Sequence, residues 1–269
     1  MNFKSLKRFA TLVYRSVTVS NRIQRQDFMA THLHGGARYA DPLKLNWHEF
    51  SVYSQGGEDG IIAEIFRRIG IASSTFVEVG LEDGKECNTH LLLSQGWKGL
   101  WVEGSPRCGE LIRRRFAPVL QAGQLRLENR FIGPADMDGL IKGAALPEEF
   151  DLLSIDVDGI DYQLWQAVAQ FRPRVVVVEY NGLIPPYVDW VPEAHEAGPC
   201  MFPGVGASLK ALERLGRDKG YTLVGCGFTG SNAFWVRSDL AGNLFCPQAT
   251  AEHHFEPLRV FLVEPHHVD

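Results

Sequence analysis

Carboxyl groups gathered around glycine turns are the chemistry-bearing feature of this chain. In Phe76-Val-Glu-Val-Gly-Leu-Glu-Asp-Gly84 a short apolar, β-branched run enters a glycine turn, with Glu78, Glu82 and Asp83 on either side of it. Glycine lets a ligand approach the backbone closely, so a strand, tight turn and helix here would make a nucleotide-type pocket. Gly80, Asp83 and Gly84 are its candidate contacts, with Asn88 and Thr89 one turn into the helix. The acids select the ligand. A pyrophosphate would be repelled by Glu78, Glu82 and Asp83, whereas a cationic nucleoside carrying an amino acid would be attracted.

That combination favours S-adenosylmethionine over a dinucleotide. Glu103 closes the next strand roughly 23 residues beyond Gly80, where an acid can take both hydroxyls of a ribose. Ser105, just after it, is a further cofactor candidate. A second group of acids follows. The fourth strand ends in Ser154-Ile-Asp-Val-Asp-Gly-Ile-Asp161 and the fifth in Glu179-Tyr-Asn181. Adjacent strand ends would bring Asp156, Asp158, Glu179 and Asn181 into one crevice. Alkyl and sugar hydroxyls are poor nucleophiles, so methyl transfer to oxygen needs a base or a metal beside the acceptor. Crowded carboxylates can supply either. Crowding can raise one carboxylate into the range of a base; for activating the acceptor Asp158 is the first candidate, followed by Glu179, Asn181 and His195. Alternatively Asp156, Asp158 and Glu179 could hold Mg²⁺ or Mn²⁺. Asp161 could equally be a helix cap, and His90, in an apolar helix start, suits packing better than catalysis.

The elements that must position these residues alternate regularly. Ile61, Ile62, Ile65, Phe66 and Ile69 mark a helix entered through Ser54–Asp59 and closed by Gly70. Strands are expected over Thr75–Val79, Gly99–Glu103, Gln124–Glu128, Asp151–Asp156 and Val175–Glu179, with helices near 85–95, 107–118, 135–143 and 160–170. Fully apolar strands such as Val175–Val178 imply a parallel sheet covered on both faces. A helix over Leu209–Leu215 leads to strands Tyr221–Cys226 and Asn232–Arg237, joined so closely that they must pair antiparallel. The expected class is therefore α/β: a Rossmann-like methyltransferase fold, a mostly parallel seven-stranded sheet ending in an antiparallel hairpin. The aromatic- and proline-bearing segment 185–206, which contains His195, is expected to be an acceptor-binding lid.

With 269 residues the chain suits one substantial domain, residues 51–240, preceded by a basic segment and linker (1–50) and followed by an extension (241–269). The net charge of −5 gives no reason to expect a nucleic-acid partner. Five scattered cysteines without a CxxC pair read as reduced thiols in a cytoplasmic setting. The first 26 residues read as a basic amphipathic helix, for which docking on a partner subunit (a homodimer) or on the domain surface, a peripheral membrane contact and a transit peptide compete.

Taken in order, Ser54-Gln-x-Gly-Glu-Asp59, Phe76-Val-Glu-Val-Gly-x-x-Asp-Gly84 with Asn88-Thr89, Gly96-Trp-x-Gly-x-x-Val-Glu103, Ile155-Asp-Val-Asp-Gly159 and Val178-Glu-Tyr-Asn181 resemble the FkbM-type S-adenosylmethionine-dependent methyltransferases. The likeness spans residues 51 to 238. It implies cofactor contacts at Glu78, Gly80, Asp83, Asn88, Glu103 and Asp156, with Gln55 and Glu58 bordering the pocket. It also implies O-methylation of a carbohydrate or glycoconjugate hydroxyl on a small-molecule or glycan acceptor. Asp158 departs from the glutamate of many relatives, a difference of one methylene. Two other classes compete: a non-catalytic scaffold of the same fold, and a nicotinamide-dependent oxidoreductase. The latter needs a Gly-x-Gly-x-x-Gly turn that Gly80–Gly84 does not provide.

Overall fold

The alternation of apolar strands and amphipathic helices builds a three-layer sandwich. The computed structural model describes residues 17, 19–21, 23–193 and 206–262. Helix α1 (Glu58–Ile69) precedes β1 (Thr75–Val79), α2 (His90–Ser94), β2 (Lys98–Val102), α3 (Pro106–Arg115), α4 (Ala117–Gln121) and β3 (Leu125–Glu128). Then come α5 (Met137–Gly143), β4 (Leu152–Ile155), α6 (Asp161–Ala167), β5 (Val175–Glu179), α7 (Leu209–Asp218), β6 (Tyr221–Cys226) and β7 (Asn232–Arg237), with short α8 (Ser238–Ala241) and α9 (Ala251–His254) at the end. The strand order is β3-β2-β1-β4-β5-β7-β6. The first five strands are parallel, and β7 lies antiparallel between β5 and β6. This is the Rossmann-like methyltransferase fold the alternation predicts.

The strands are apolar throughout because alternate residues feed two cores. Val77, Leu100, Leu153, Val176 and Trp235 meet Met137, Leu164, Trp165 and Leu212 of α5, α6 and α7. Phe76, Trp101, Leu152, Val177 and Phe234 meet Ile61, Ile65, Leu92 and Ile112 of α1, α2 and α3. Each such large side chain contributes about 1.5–3 kcal/mol on burial. At the amino ends of the strands, buried Asp151 accepts from the backbone N–H groups of Ala72, Ser73 and Ser74 and from Arg174, whose guanidinium also donates to the carbonyls of Ile69 and Gly70. That cluster ties α1 to β1, β4 and β5 and leaves the carboxyl ends of the strands for the site.

Two segments are more integrated than a linker and an extension suggest. Residues 29–48 form a π-turn (Met29–His34) and two 3₁₀ turns (Ala37–Tyr39 and Leu45–His48). Leu33 and Tyr39 there join Phe228 and Leu262 in a small core of their own. Buried Glu256 accepts from the Tyr39 hydroxyl and from Arg259, while the Tyr180 hydroxyl donates to its carbonyl. The chain end thus straps the amino-terminal segment to β5 and to the β6–β7 turn.

Candidate active site

In open α/β sheets ligands bind beyond the carboxyl ends of the strands where the order reverses, here between β1 and β4. A cavity of about 710 Å³ opens there, within the range of small-molecule sites. Gln55, Glu58, Glu78, Gly80, Asp83, Asn88, Glu103, Ser105, Asp156, Asp158 and Glu179, all expected from the sequence, line it. Gly84 and Asn181 do not. Gly84 has φ +76° and faces the core, where a Cβ would come 2.9 Å from Phe116 and 3.0 Å from Trp101. The Asn181 side chain accepts from the N–H of Leu183, closing a local turn instead of reaching a ligand. His195 lies outside the described residues.

Several expected contacts build the cradle before they touch anything bound. Glu78, 1% exposed, accepts from the N–H groups of Asn88 and Thr89 and from the Thr89 hydroxyl. The Trp101 indole in turn donates to that hydroxyl. Burial raises the Glu78 pKa against these hydrogen bonds. Glu78 therefore shapes the glycine turn, and its position explains why α2 starts only at His90. Gly80, at φ +76°, is demanded by the fold: a Cβ would stand 1.7 Å from the carbonyl oxygen of Asp156. The loops after β1 and β4 touch at this point, which is a packing reason rather than a ligand-approach reason for the glycine. His90 stacks on Tyr53 at 3.8 Å, as a packed histidine should.

Glu103 is held for recognition. Its two oxygens accept from Leu81 N (3.3 Å) and Ser105 N (2.7 Å), which orients the carboxylate at the cavity wall. Ser105 caps α3 through Cys108 N. Beside it, half-exposed Phe131 covers Gly104, where a Cβ would meet the ring at 2.4 Å. Phe131 and Arg130, after β3, line the cavity and were missed in the sequence; an aromatic directly after a strand end was the available signal. Asp83 is less available than its sequence context suggests, since Arg115 (3.1 Å) and Lys85 (3.7 Å) pair with it.

The crowding of acids falls on Asp156. Burial, then Asp161, Asp158, Glu78 and Glu58, push its carboxyl well above the usual range. Asp161 accepts from Val157 N (2.8 Å) and Gly159 N (2.9 Å), and burial lifts it to about 6 despite those bonds. Asp161 thus anchors the loop carrying Asp156. Asp158, the expected first base, sits exposed at φ +56° on that loop, a conformation aspartate tolerates. The raised acid is its neighbour. Among the described residues no three His, Cys, Asp or Glu side chains converge as a metal site, so Asp156, Asp158 and Glu179 do not form the expected ligand set.

The far wall comes from the hairpin. Thr229, Ser231 and Asn232 line the cavity, with Asn232 facing Glu179 in the β5–β7 register. The Asn232 amide donates to Glu58 Oε1 (3.1 Å), and Glu58 Oε2 accepts from Gly56 N. A turn of Gly, Thr and Ser carries no catalytic signature, so sequence reasoning passed over it.

No family model matches the chain, and no curated protein does. Solved structures are similar to parts of it. CalS10, an amino pentose methyltransferase from Micromonospora echinaspora, is 15% identical over 67% of this chain and 89% of its own, with a TM-score of 0.42. The CcbJ methyltransferase from Streptomyces caelestis is 15% identical over 69% and 91%, with a TM-score of 0.42. The glycopeptide N-methyltransferase MtfA is 16% identical over 69% and 90%, with a TM-score of 0.41.

Proposed function

We infer that the chain is an S-adenosylmethionine-dependent O-methyltransferase of the FkbM type, acting on a hydroxyl of a carbohydrate or glycoconjugate. The observation that carries the reading is the composition of the cavity wall at the switch point. Among the described residues, nine of its lining side chains are carboxyls, against Lys85 and Arg130. Such a wall suits a cationic nucleoside and opposes a pyrophosphate. Glu103 would take the ribose hydroxyls, Phe131 would stack on the base, and Asn88 with the Gly80–Asp83 turn would receive the amino-acid end.

When bound, S-adenosylmethionine would supply a methyl group whose C–S bond breaks, with its electron pair kept by sulfur, as a C–O bond forms to the acceptor. Asp156 would receive the hydroxyl proton, its raised proton affinity suiting that task. Asp161 would hold the Asp156 loop, and Asp158 and Glu179 would add negative potential.

Calorimetry with S-adenosylhomocysteine, S-adenosylmethionine and NAD tests the reading. The first two should bind and NAD should not, and Glu103→Gln should weaken binding about tenfold, as loss of a charge-assisted hydrogen bond does. Absence of uptake by folded protein, or preference for NAD, would overturn it.

A further inference from the structure

The cavity carries two buried polar atoms whose hydrogen-bonding capacity is unused. Thr229 is 3% exposed and Asn232 is 6% exposed, and both line the cavity. Among the described residues, Thr229 Oγ1 and Asn232 Oδ1 have no hydrogen-bond partner. The orientation of the Asn232 amide follows from its neighbour: Glu58 accepts, so the nitrogen must face it and the oxygen must face away. Leaving such atoms dry and unpaired costs about 1–3 kcal/mol each. A fold that could have placed valine or leucine there gains only if something bound completes them.

The turn bearing them is held in place. Arg259 donates through its backbone to Thr229 O (2.7 Å) and through its guanidinium to Phe228 O (2.7 Å), and Leu258 N donates to Gly182 O. A Cβ on Gly230 would stand 2.2 Å from Pro257 O, so the strap lies directly on the turn. Gly56, without a side chain, covers Thr229 from the other side. Rigid support beneath an unpaired donor–acceptor pair is how a site is preorganised.

We propose that this end of the cavity is the acceptor subsite, and that it takes an uncharged polyhydroxy compound free of phosphate and carboxylate groups. The inference rests on the methyltransferase reading and adds the acceptor's chemistry and place. Asn232 Oδ1 can only accept, so it calls for a hydroxyl that donates. Thr229 Oγ1 can do both, so it can receive or serve a second hydroxyl on the same molecule. Glu58 and Glu179 flank the pair and repel an anionic acceptor. A sugar still attached to a nucleoside diphosphate is excluded by the same charges. The chemistry assigned to the step before this one is therefore release or assembly of a neutral glycoside, not activation to a phosphate ester.

Saturation-transfer NMR on the protein loaded with S-adenosylhomocysteine tests this directly. The probes are an equimolar set of neutral methyl hexosides and, separately, hexose 6-phosphates and UDP-glucose. Neutral glycosides should give transfer and the phosphorylated compounds none. Thr229→Val should weaken glycoside binding about tenfold, equivalent to one hydrogen bond, and Thr229→Ser should retain it. S-adenosylhomocysteine affinity should stay unchanged in both, and apo Thr229→Val should melt no lower than wild type, because the lost hydroxyl had no partner. Binding of the phosphorylated probes, no binding of any neutral glycoside to the loaded protein, or full retention by Thr229→Val would each overturn the proposal. Failure of S-adenosylhomocysteine itself to load would instead strike the methyltransferase reading.

Discussion

Replacing Asp156 should uncouple the charge of the cofactor from the proton inventory of the site. Burial, then Asp161, Asp158, Glu78 and Glu58, push the Asp156 carboxyl well above its usual range, so a cation bound beside it should pull that carboxyl back down. A unit positive charge bound near Asp156 would, at an effective dielectric of about 20, favour the ionised carboxylate by about 3 kcal/mol. That equals about 2 units of pKa. Binding S-adenosylmethionine should therefore expel up to about one proton. S-adenosylhomocysteine carries the same amino and carboxyl groups without the sulfonium charge and should expel almost none.

The sign follows from linkage. The ligand prefers the ionised site, so its affinity climbs with pH through the interval between the bound and free values and is flat above it. Calorimetry in buffers of different ionisation enthalpy counts the protons, scanned from about pH 5 to about pH 8 to bracket the value near 6 of Asp161. The slope of observed enthalpy against buffer enthalpy should approach one proton for S-adenosylmethionine and zero for S-adenosylhomocysteine. Asp156→Asn should erase the difference and lower turnover by at least about 100-fold, the usual worth of a positioned base. Equal slopes for the two ligands, or an unchanged difference in Asp156→Asn, would refute the argument.

Two perturbations away from the reacting groups test the frame that holds them. Gly80→Ala places a methyl where only 1.7 Å separates it from Asp156 O and keeps a left-handed φ, so urea unfolding should show a loss of about 3 kcal/mol or more, with S-adenosylhomocysteine binding impaired in whatever folds. Asp151→Asn leaves the buried Arg174 guanidinium without its carboxylate and should cost about 3–5 kcal/mol at neutral pH, measured the same way. Burial pushes Asp151 up, but Arg174 and the Ser73 and Ala72 N–H groups outweigh it and hold it low. Its contribution is thus present above the unfolded carboxylate range and fades as pH falls through the folded value, so the gap between variant and wild type should close in acid.

The sheet was legible because its signal is local. Val175–Glu179 and Asn232–Arg237 carry their strand character in a few consecutive residues, and both match the expected bounds. Helix ends were less legible where side chains or proline intervene. The helix expected over 107–118 divides at Phe116, because Pro118 has no N–H to continue the ladder. The site was readable where it hangs on strand ends, at Glu103 and Asp156. It was unreadable where contacts join residues far apart in sequence, such as Asn232 with Glu58 or Arg259 with Phe228.

That division has a physical consequence for how the site works. The cofactor side of the cavity is fixed by short-range bonds: Glu78 to Asn88, Glu103 to Ser105, Asp161 to Gly159. The opposite side is fixed by the amino-terminal segment and the chain end, through Glu58, Glu256 and Arg259. Substitutions in the strap should therefore act on acceptor binding more than on the nucleoside half, whose Glu78, Glu103 and Asp161 bonds are made within the β1, β2 and β4 loops. The two halves of the cavity are thus held by separate sets of hydrogen bonds, and Glu58 on one side bears on Asp156 on the other only through its charge.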